Sequence, residues 1–199
     1  DGTNDGDMIP ATLIPYGYYA RPVNEKITFG MGFYAPFGLA ADYESTFQGR
    51  DLALKSEVEN VNLQPTIAYK LSDQLSLGLG VIGSYITGEL TQTVMGTETI
   101  GKVVGSDWAW GYNIGLLITA TDQLRMGLTY HSAIDFTLEG DFYLGSSSES
   151  AQLPISTPGS AEFALSYALD SSIRLMASIN WMAWSEFDVL EVVSQGSGD

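Results

Sequence analysis

Apolar side chains occupy every second position over much of the chain, and the clearest stretch runs from Leu124 to Phe142. Ser132 and Gly140 alone weaken its apolar row. A period of two predicts a β-strand whose faces meet different surroundings, because successive side chains point to opposite sides of the pleat. The stretch would span roughly 60 Å at about 3.3 Å per residue, whereas a tilted strand crosses a bilayer in about 9–11 residues. The pattern therefore predicts a membrane-spanning strand that continues beyond the lipid.

The alternation recurs along the chain, and the sequence predicts eight strands in all. They cover residues 11–20, 26–37, 61–71, 75–94, 108–118, 124–142, 161–169 and 173–193. Short turns alternate with three longer connections, Gly38 to Lys55, Val94 to Ser106 and Leu144 to Pro158, which we expect to be loops on the outside of the cell. Short turns on one side and long loops on the other are typical of bacterial outer-membrane barrels. The predicted fold is an all-β, antiparallel transmembrane β-barrel.

Composition narrows the classes of protein. The chain carries 24 acidic and 8 basic residues, a net charge of −16, which argues against a nucleic-acid partner because phosphate binding needs clustered Lys and Arg. The absence of cysteine excludes disulfides and cysteine-ligated metals. No run approaches the 18 apolar residues of a membrane helix. The acidic, glycine-rich start from Asp1 to Asp7 is unlike a signal peptide, so we expect either a mature sequence or a fragment.

A soluble lipocalin-like barrel or a two-sheet sandwich would also alternate, but it would bury its apolar face in a core. Eight long strands would demand a core too large for this chain length. Many aromatic residues also lie toward the predicted strand ends, where rings would meet the lipid interface. They are Tyr16, Tyr18, Tyr19, Tyr69, Tyr85, Trp108, Trp110, Tyr130, Trp181 and Trp184. The membrane barrel is the favoured interpretation.

Six short segments carry a family resemblance. They are Ala35 to Leu39, Gly49-Arg50, Asn62 to Tyr69, Trp108 to Gly115, Leu128 to Ser132 and Trp181 to Phe187. In their order and spacing they resemble the long-chain fatty acid transporter family of outer-membrane proteins. The resemblance covers roughly Tyr16 to Val193.

This resemblance implies a fourteen-stranded, monomeric barrel, plugged by an N-terminal hatch, that passes hydrophobic molecules such as long-chain fatty acids or aromatic hydrocarbons. The chain departs from that pattern in strand number, in lacking the hatch with its Asn-Pro-Ala motif, and in ending at Gln195 to Asp199 without an aromatic-ended strand. We therefore expect residues 1–199 to form a single, incomplete β-barrel domain from the middle of a longer protein. An even count of eight strands also leaves closure of the chain on itself open.

The inward-facing side chains are the candidate substrate-binding residues. The alternation places both polar and apolar side chains there, namely Ile82, Ile86, Leu90, Asn113, Leu117, His131, Met176 and Met182. Apolar side chains in a lumen either contact a plug or bind an apolar ligand, and adaptable methionine favours the ligand. Out of phase with them, Leu75, Leu77, Leu79 and Val81 are expected to touch lipid.

The charged residues suggest little further chemistry. Arg125 and Arg174 lie near predicted short turns, where a solvated periplasmic rim is the favoured interpretation and a site for an acidic head group the alternative. His131 and Asp135 share a strand face, but residues four apart on a strand are about 13 Å apart, too far for an acid–base pair. We expect no enzyme activity, no cofactor and no metal.

Three functions remain at this stage. The favoured one is passive uptake of a hydrophobic small molecule through the bacterial outer membrane, in contact with membrane lipid or detergent. The alternative is a structural or adhesive outer-membrane barrel that acts through its long extracellular loops. The third is a soluble β-domain that binds small ligands.

Overall fold

The computed structural model describes residues 2, 8–94, 100–186 and 193–194. This part of the chain is almost entirely β-structure. Its strands are β1 (Tyr16–Pro22), β2 (Ile27–Tyr34), β3 (Gly38–Asp42), β4 (Lys55–Lys70), β5 (Leu75–Thr93), β6 (Ile100–Thr119), β7 (Leu124–His131), β8 (Ile134–Leu144), β9 (Ser147–Thr157), β10 (Ser160–Ala168), β11 (Arg174–Met182) and β12 (Val193–Ser194). A single 3-10 turn, Trp184–Glu186, follows β11. None of the helical structure in the described ranges is long and apolar enough to span a bilayer.

The strands form one antiparallel sheet in the order β1-β2-β4-β5-β6-β7-β10-β11. Three further strands continue the strand positions of this sheet. After β2, β3 also pairs with β4, and after β7, β8 also pairs with β6. The strand β9 pairs with β8 and leads into β10. The sheet therefore has eight strand positions in chain order, which confirms the predicted all-β, antiparallel architecture. Among the described residues, β1 and β11 form no ladder with each other.

The two faces of the sheet are opposite in character to those of a soluble protein. One face, the inner face, carries the buried polar side chains of Asn60, Asn62, Ser84 and Asn113. The other face, the outer face, exposes large apolar side chains. They can be assigned to one face because residues paired across an antiparallel ladder share a face. Examples are Leu63, Ile67, Leu79, Val81, Trp110, Tyr112, Ile114, Leu128, Phe163, Ile179 and Trp181. An apolar exterior over a polar interior is the arrangement of a barrel in lipid.

The aromatic residues follow the faces rather than the strand ends alone. Tyr18 pairs with Gly32, which pairs with Gln64 on the inner face, so Tyr18 faces inward. Tyr16 faces inward for the same reason. The expectation that these two rings meet lipid is wrong, because the register of β1 with β2 places both of them on the inner face. Trp108, Trp110 and Tyr85 do lie on the outer face, and the Tyr85 and Trp108 ring centroids are 4.9 Å apart.

Two of the three predicted long loops are mostly hairpin strands. Within Leu144 to Pro158 the chain turns at Gly145, whose φ is 60°, and returns as β9. Within Val94 to Ser106, β6 already begins at Ile100, and residues 95–99 lie outside the described residues. Beyond the lipid both sides of a strand meet polar surroundings or protein, so the apolar row that marks a lipid face is lost while backbone pairing continues.

The first predicted loop, Gly38 to Lys55, is also shorter than expected. Its first five residues form β3, which pairs with residues 55–59 of β4. The remainder contains turns, and Leu54 at its end is buried. The predicted loops therefore begin close to strand ends, at Thr93 of β5 and Leu144 of β8, but they include β3, β9 and the start of β6.

The long strand predicted from Leu124 to Phe142 reverses its faces in the middle. Asn113 of β6 pairs with His131, and Ser106 of β6 pairs with Glu139. Seven residues separate the two positions on β6, whereas eight residues separate His131 from Glu139. This one-residue difference moves Ile134 to the inner face, whereas Tyr130 lies on the outer face. A bulge of this kind re-aims every following side chain. The prediction of one uninterrupted strand with a single apolar face is therefore wrong.

Side chains replace the ladder where it is interrupted. The Ser132 hydroxyl accepts a hydrogen bond from the Tyr112 N–H at 3.0 Å, and the Ser132 N–H donates to the Tyr112 carbonyl at 2.9 Å. The Asp107 carboxylate accepts from the Thr137 N–H at 2.7 Å. These bonds satisfy backbone groups that strand pairing would otherwise leave unpaired.

Gly140 is expected to be essential to the pairing of β8 with β6. A Cβ added at Gly140 would overlap the Val104 carbonyl oxygen, whereas a Cβ at Gly127 meets nothing within 4 Å. Gly140→Ala should therefore lower stability by about 1–3 kcal/mol through overpacking, and Gly127→Ala should not. Urea titration of the heat-modifiable gel band measures both. Equal stability of the two variants would contradict the close approach of β6 and β8.

Candidate functional site

An apolar cluster lies on the inner face, at the end of β5 that is remote from its turn with β4. Ile82 and Ile86 are each 1% exposed and pack against side chains of the β8–β9 hairpin. Leu90 is partly buried at its edge. The void beside Leu90 and Leu138 is only about 10 Å³. The full set is Ile82, Ile86, Ile134, Phe136, Leu138, Leu153 and Ile155, and we call it the apolar cluster.

Polar side chains lie beside the apolar cluster on the inner face, and Ser84 stands between Ile82 and Ile86 on β5. Gln64 links two strands, since its side-chain oxygen accepts from the Tyr34 hydroxyl at 2.5 Å and its nitrogen donates to the Asn113 oxygen at 3.3 Å. The Asn113 side-chain nitrogen lies 3.2 Å from Nε2 of His131. In a second group, the Ser84 hydroxyl accepts from Asn60 at 2.7 Å and donates to Asn62 at 2.6 Å. These residues, the polar band, are mutually hydrogen-bonded, as buried polar groups require.

His131 therefore has a structural partner rather than a catalytic one. Its ring nitrogen meets the Asn113 amide. Asp135, which was predicted to share its face, lies instead on the exposed opposite side, where it accepts from the Ser156 hydroxyl at 2.7 Å. His131 and Asp135 lie on opposite faces because the bulge at Ser132 lies between them.

A third region, the turn-end pocket, opens on the inner face near the short turns and has a volume of about 550 Å³. It combines two exposed apolar side chains, Leu117 at 48% and Met176 at 77%, with charged and hydroxyl groups. Ligand pockets commonly have about 300–1,000 Å³ and such a mixed lining. Side chains that line it include Leu117, Arg125, Glu162, Ser166, Arg174, Met176 and Ser178.

The eight sequence-predicted site residues are divided among these three levels. Ile82, Ile86 and Leu90 belong to or border the apolar cluster, and Leu117 and Met176 line the turn-end pocket. Asn113 and His131 belong to the polar band, and Met182 lies at the same level because it pairs with Ser160, the partner of His131. Leu117 and the Ile86 partner Asp107 are ten positions apart on β6, about 33 Å. The set is therefore inward-facing but does not form one site.

Sequence reasoning missed the β8 and β9 members of the apolar cluster. Ile134, Phe136 and Leu138 continue the even-numbered apolar row of β7, so that they seemed to face lipid. The signal that marks the reversal is the Ser132-Ala133 interruption together with the acidic residues between the later apolar ones. Acidic side chains on the outer face show that this part of the strand lies outside the lipid.

Charged residues on the outer face lie beyond the aromatic rings. Lys55 contacts Glu57 at 2.6 Å and Glu89 at 3.5 Å, and Lys102 contacts Glu89 at 3.1 Å. The hydrogen bond with Glu57 raises the pKa of Lys55, an effect that Glu89 reinforces. Burial would raise the pKa of Glu89, but Lys102 and Lys55 outweigh it, and the pKa is lowered. These pairs are largely solvated and add little stability.

Comparison with protein families gives a match along the whole chain. Residues 1–199 match the family described as outer membrane protein transport protein (OMPP1/FadL/TodX). The chain is 22% identical over 242 aligned residues to the long-chain fatty acid transport protein of Escherichia coli strain K12, which covers 97% of this chain and 54% of that protein. It is 26% identical over 161 residues to outer membrane protein P1 of Haemophilus influenzae, covering 65% of this chain and 35% of that protein.

Solved structures share the fold. A FadL homologue from Pseudomonas aeruginosa superposes with a TM-score of 0.85 at 22% identity, over 92% of this chain and 51% of that one. The toluene transporter TbuX of Ralstonia pickettii gives a TM-score of 0.75 at 17% identity, over 98% of this chain and 62% of that one. The chain spans about half the length of the fatty acid transport protein it matches.

Proposed function

Because the chain belongs to the outer membrane transport protein family that includes OMPP1, FadL and TodX, we propose that it is part of a channel for passive uptake of hydrophobic compounds. Its location is the bacterial outer membrane. The substrates we propose are long-chain fatty acids or aromatic hydrocarbons, the two classes that the names of its relatives mention. The fatty acid transport protein of Escherichia coli and the toluene transporter TbuX are named as transporters, which supports transport rather than adhesion or catalysis.

The observation that carries this proposal is the mixed lining of the inner face. Exposed Leu117 and Met176 share the turn-end pocket with hydroxyl and charged groups, while the outer face is apolar. A wholly polar lumen would favour hydrophilic solutes, whereas apolar side chains in an aqueous passage give a hydrophobic solute somewhere to bind. Flexible methionine suits ligands of varied shape.

We further propose that the eight strand positions belong to a larger, monomeric barrel whose outer face contacts membrane lipid. Two observations support this. The outermost strands β1 and β11 are unpaired with each other among the described residues, and the matched relatives are about twice as long. An unpaired strand edge within a membrane is unfavourable because its backbone groups find no water.

Uptake by cells tests the function. A strain that lacks the full-length gene is compared with the same strain carrying it on a plasmid, using a radiolabelled long-chain fatty acid and toluene as substrates. We expect restoration of uptake for at least one of them, with the uptake of a small hydrophilic sugar unchanged. Normal uptake of both hydrophobic substrates in the deletion strain would count against a role as their channel.

Labelling of intact cells tests the orientation. The chain contains no cysteine, so a single cysteine substitution introduces a unique thiol within it. Ser148→Cys places the thiol near the β8–β9 turn, and Ser171→Cys places it in the β10–β11 turn. Both serines are exposed and lie at opposite ends of the sheet. We expect a membrane-impermeant maleimide to modify only Ser148→Cys in intact cells and both variants after lysis. Labelling of Ser171→Cys alone in intact cells would invert the orientation.

A further inference from the structure

The one histidine of the chain ends a hydrogen-bonded row of side chains on the inner face. The row begins at Tyr34 on β2, whose hydroxyl donates to the Gln64 oxygen on β4 at 2.5 Å. The Gln64 nitrogen donates to the Asn113 oxygen on β6, and the Asn113 nitrogen lies 3.2 Å from Nε2 of His131 on β7. A Cβ added at Gly80 of β5 would lie 3.1 Å from the Gln64 nitrogen, so only a glycine there lets Gln64 reach across β5 to β6. The row therefore joins four strands and ends at His131.

The hydrogen bonds of Asn113 determine which protonation state of His131 fits the row. The Asn113 side-chain nitrogen also donates to the Tyr130 carbonyl at 3.0 Å, and a carbonyl oxygen can only accept. The nitrogen therefore presents its second hydrogen to Nε2 of His131, which must accept it. An imidazole accepts at Nε2 only when it is neutral and carries its proton on Nδ1. Protonation of His131 would place two donors against each other and break the row at its end.

Glu162 offers a protonated His131 another partner. On the ladder between β7 and β10, His131 pairs with Ser160 and Glu162 pairs with Thr129, so His131 and Glu162 are diagonal neighbours on the inner face. Diagonal neighbours are about 7–8 Å apart, a separation that long side chains can bridge. The ring is only partly buried, which leaves it space to turn. His131 thus has one partner in its neutral form and a second one when it is charged.

The other ionisable groups of the inner face are farther away within the described part of the chain. Tyr34 is separated from His131 by two amide side chains. The charged side chains lie four or more positions along their strands from the level of His131, which corresponds to about 13 Å or more. On the strands around it they are Lys70, Asp107, Arg125 and Arg174. Glu162 is therefore the charged group that responds most directly to a change at His131.

We propose that His131 is a pH-sensitive latch in the lumen. In its neutral form it completes the row, and in its protonated form it leaves Asn113, pairs with Glu162 and weakens the binding of apolar solutes. The weakening arises because a hydrophobic ligand beside a charged imidazolium must displace the water around it. Histidine ordinarily changes its charge between about pH 5 and 8, so the latch operates near neutral pH. The inference rests on the proposed function, since it describes regulation of the same lumen.

The first measurement is binding of the uncharged methyl ester of a fluorescent fatty acid to the purified full-length protein in detergent. Because the ester does not titrate, any effect of pH on binding belongs to the protein. We expect the Kd to rise about threefold or more between about pH 7.5 and 5.5. His131→Gln should change less than about 1.5-fold, since the glutamine oxygen can accept from Asn113 at both pH values.

The second measurement is the urea midpoint of the heat-modifiable gel band at the same two pH values. Protonation of His131 removes a hydrogen bond that only the folded protein makes, so stability should fall as the pH falls. Glu162→Gln removes the partner of the charged ring, and its stability should fall more. Asp135→Asn removes the same charge from the exposed outer side of β8 and should behave like the unsubstituted protein. His131→Gln should show the smallest change of the four proteins.

The latch is overturned if ester binding by the unsubstituted protein is independent of pH, or if His131→Gln shows the same pH dependence. It is also overturned if Glu162→Gln loses no more stability at the lower pH than Asp135→Asn does. The proposed function fails in a different way, when the unsubstituted protein does not bind the ester at either pH. In that event the urea midpoints alone decide whether His131 exchanges Asn113 for Glu162.

Discussion

Leu79→Arg is expected to lower the stability of the folded protein by about 2–4 kcal/mol, the cost of an arginine on the lipid face near the membrane centre. Leu79 lies on the outer face of β5, is 54% exposed, and is paired with Ile67 and Ile114, which are also exposed and apolar. It lies between the turn before Leu75 and the aromatic residues that begin at Tyr85. An arginine there must lose its hydration or distort the bilayer.

Leu117→Arg is the matched control for this prediction. Leu117 lies on the neighbouring strand β6 and is similarly exposed, at 48%, but it faces the turn-end pocket. An arginine there remains hydrated, and its cost should be below about 1 kcal/mol. Urea titration in lipid vesicles, followed by the heat-modifiable gel band, compares the two variants. A stable Leu79→Arg beside a poorly folded Leu117→Arg would mean that the inner and outer faces have been exchanged.

The strands inside the lipid were predictable because two different media impose the alternation. On β5 and β6 the outer-face residues must be apolar to meet lipid, while Gly80 and Asn113 opposite them need not be. Period-two patterns therefore report strand position, direction and facing together. This is why the eight strand positions and the inward facing of Ile82, Leu117 and Met176 follow from the sequence.

Outside the lipid, the alternation no longer indicates which face of a strand points outward. On β8 the residues Asp135 and Glu139 are exposed on the outer face, and the apolar side chains between them are buried inside. The alternation continues there, but the apolar side chains lie on the inner face instead of the outer face. The single-residue bulge leaves the period unchanged, so the reversal is marked in the sequence only by the Ser132-Ala133 interruption and by the acidic residues that follow it.

The contacts between side chains across the interior also could not be predicted from the sequence. The facing of Ile86 was readable from its strand, but its partners Phe136 and Ile155 come from a distant hairpin. For this reason Ile86→Arg, which a lumen exposed to water would tolerate, should destabilise the protein: at 1% exposure its charge would have no solvent. Whether the cluster also binds an apolar ligand stays a prediction.

Phe136→Ala separates packing from ligand binding in the apolar cluster. Phe136 is 3% exposed and lies between Ile134 and Leu138 on the inner face of β8. Removing its ring should cost about 3–5 kcal/mol, because the surrounding side chains cannot collapse fully into the cavity. The small void already present, about 10 Å³, indicates that the neighbours are closely packed.

Phe163→Ala removes the same ring from the outer face of β10, where the residue is 42% exposed. Lipid chains fill the space that the ring leaves, so the loss of stability should be much smaller than for Phe136→Ala. Unfolding in urea and binding of a fluorescent fatty acid are measured for both variants of the full-length protein. If Phe136→Ala keeps its stability while ligand affinity falls, the cluster is an open binding site rather than a packed core. The expected result is the reverse, a loss of stability, because Phe136 is about as deeply buried as Ile82 and Leu138 around it.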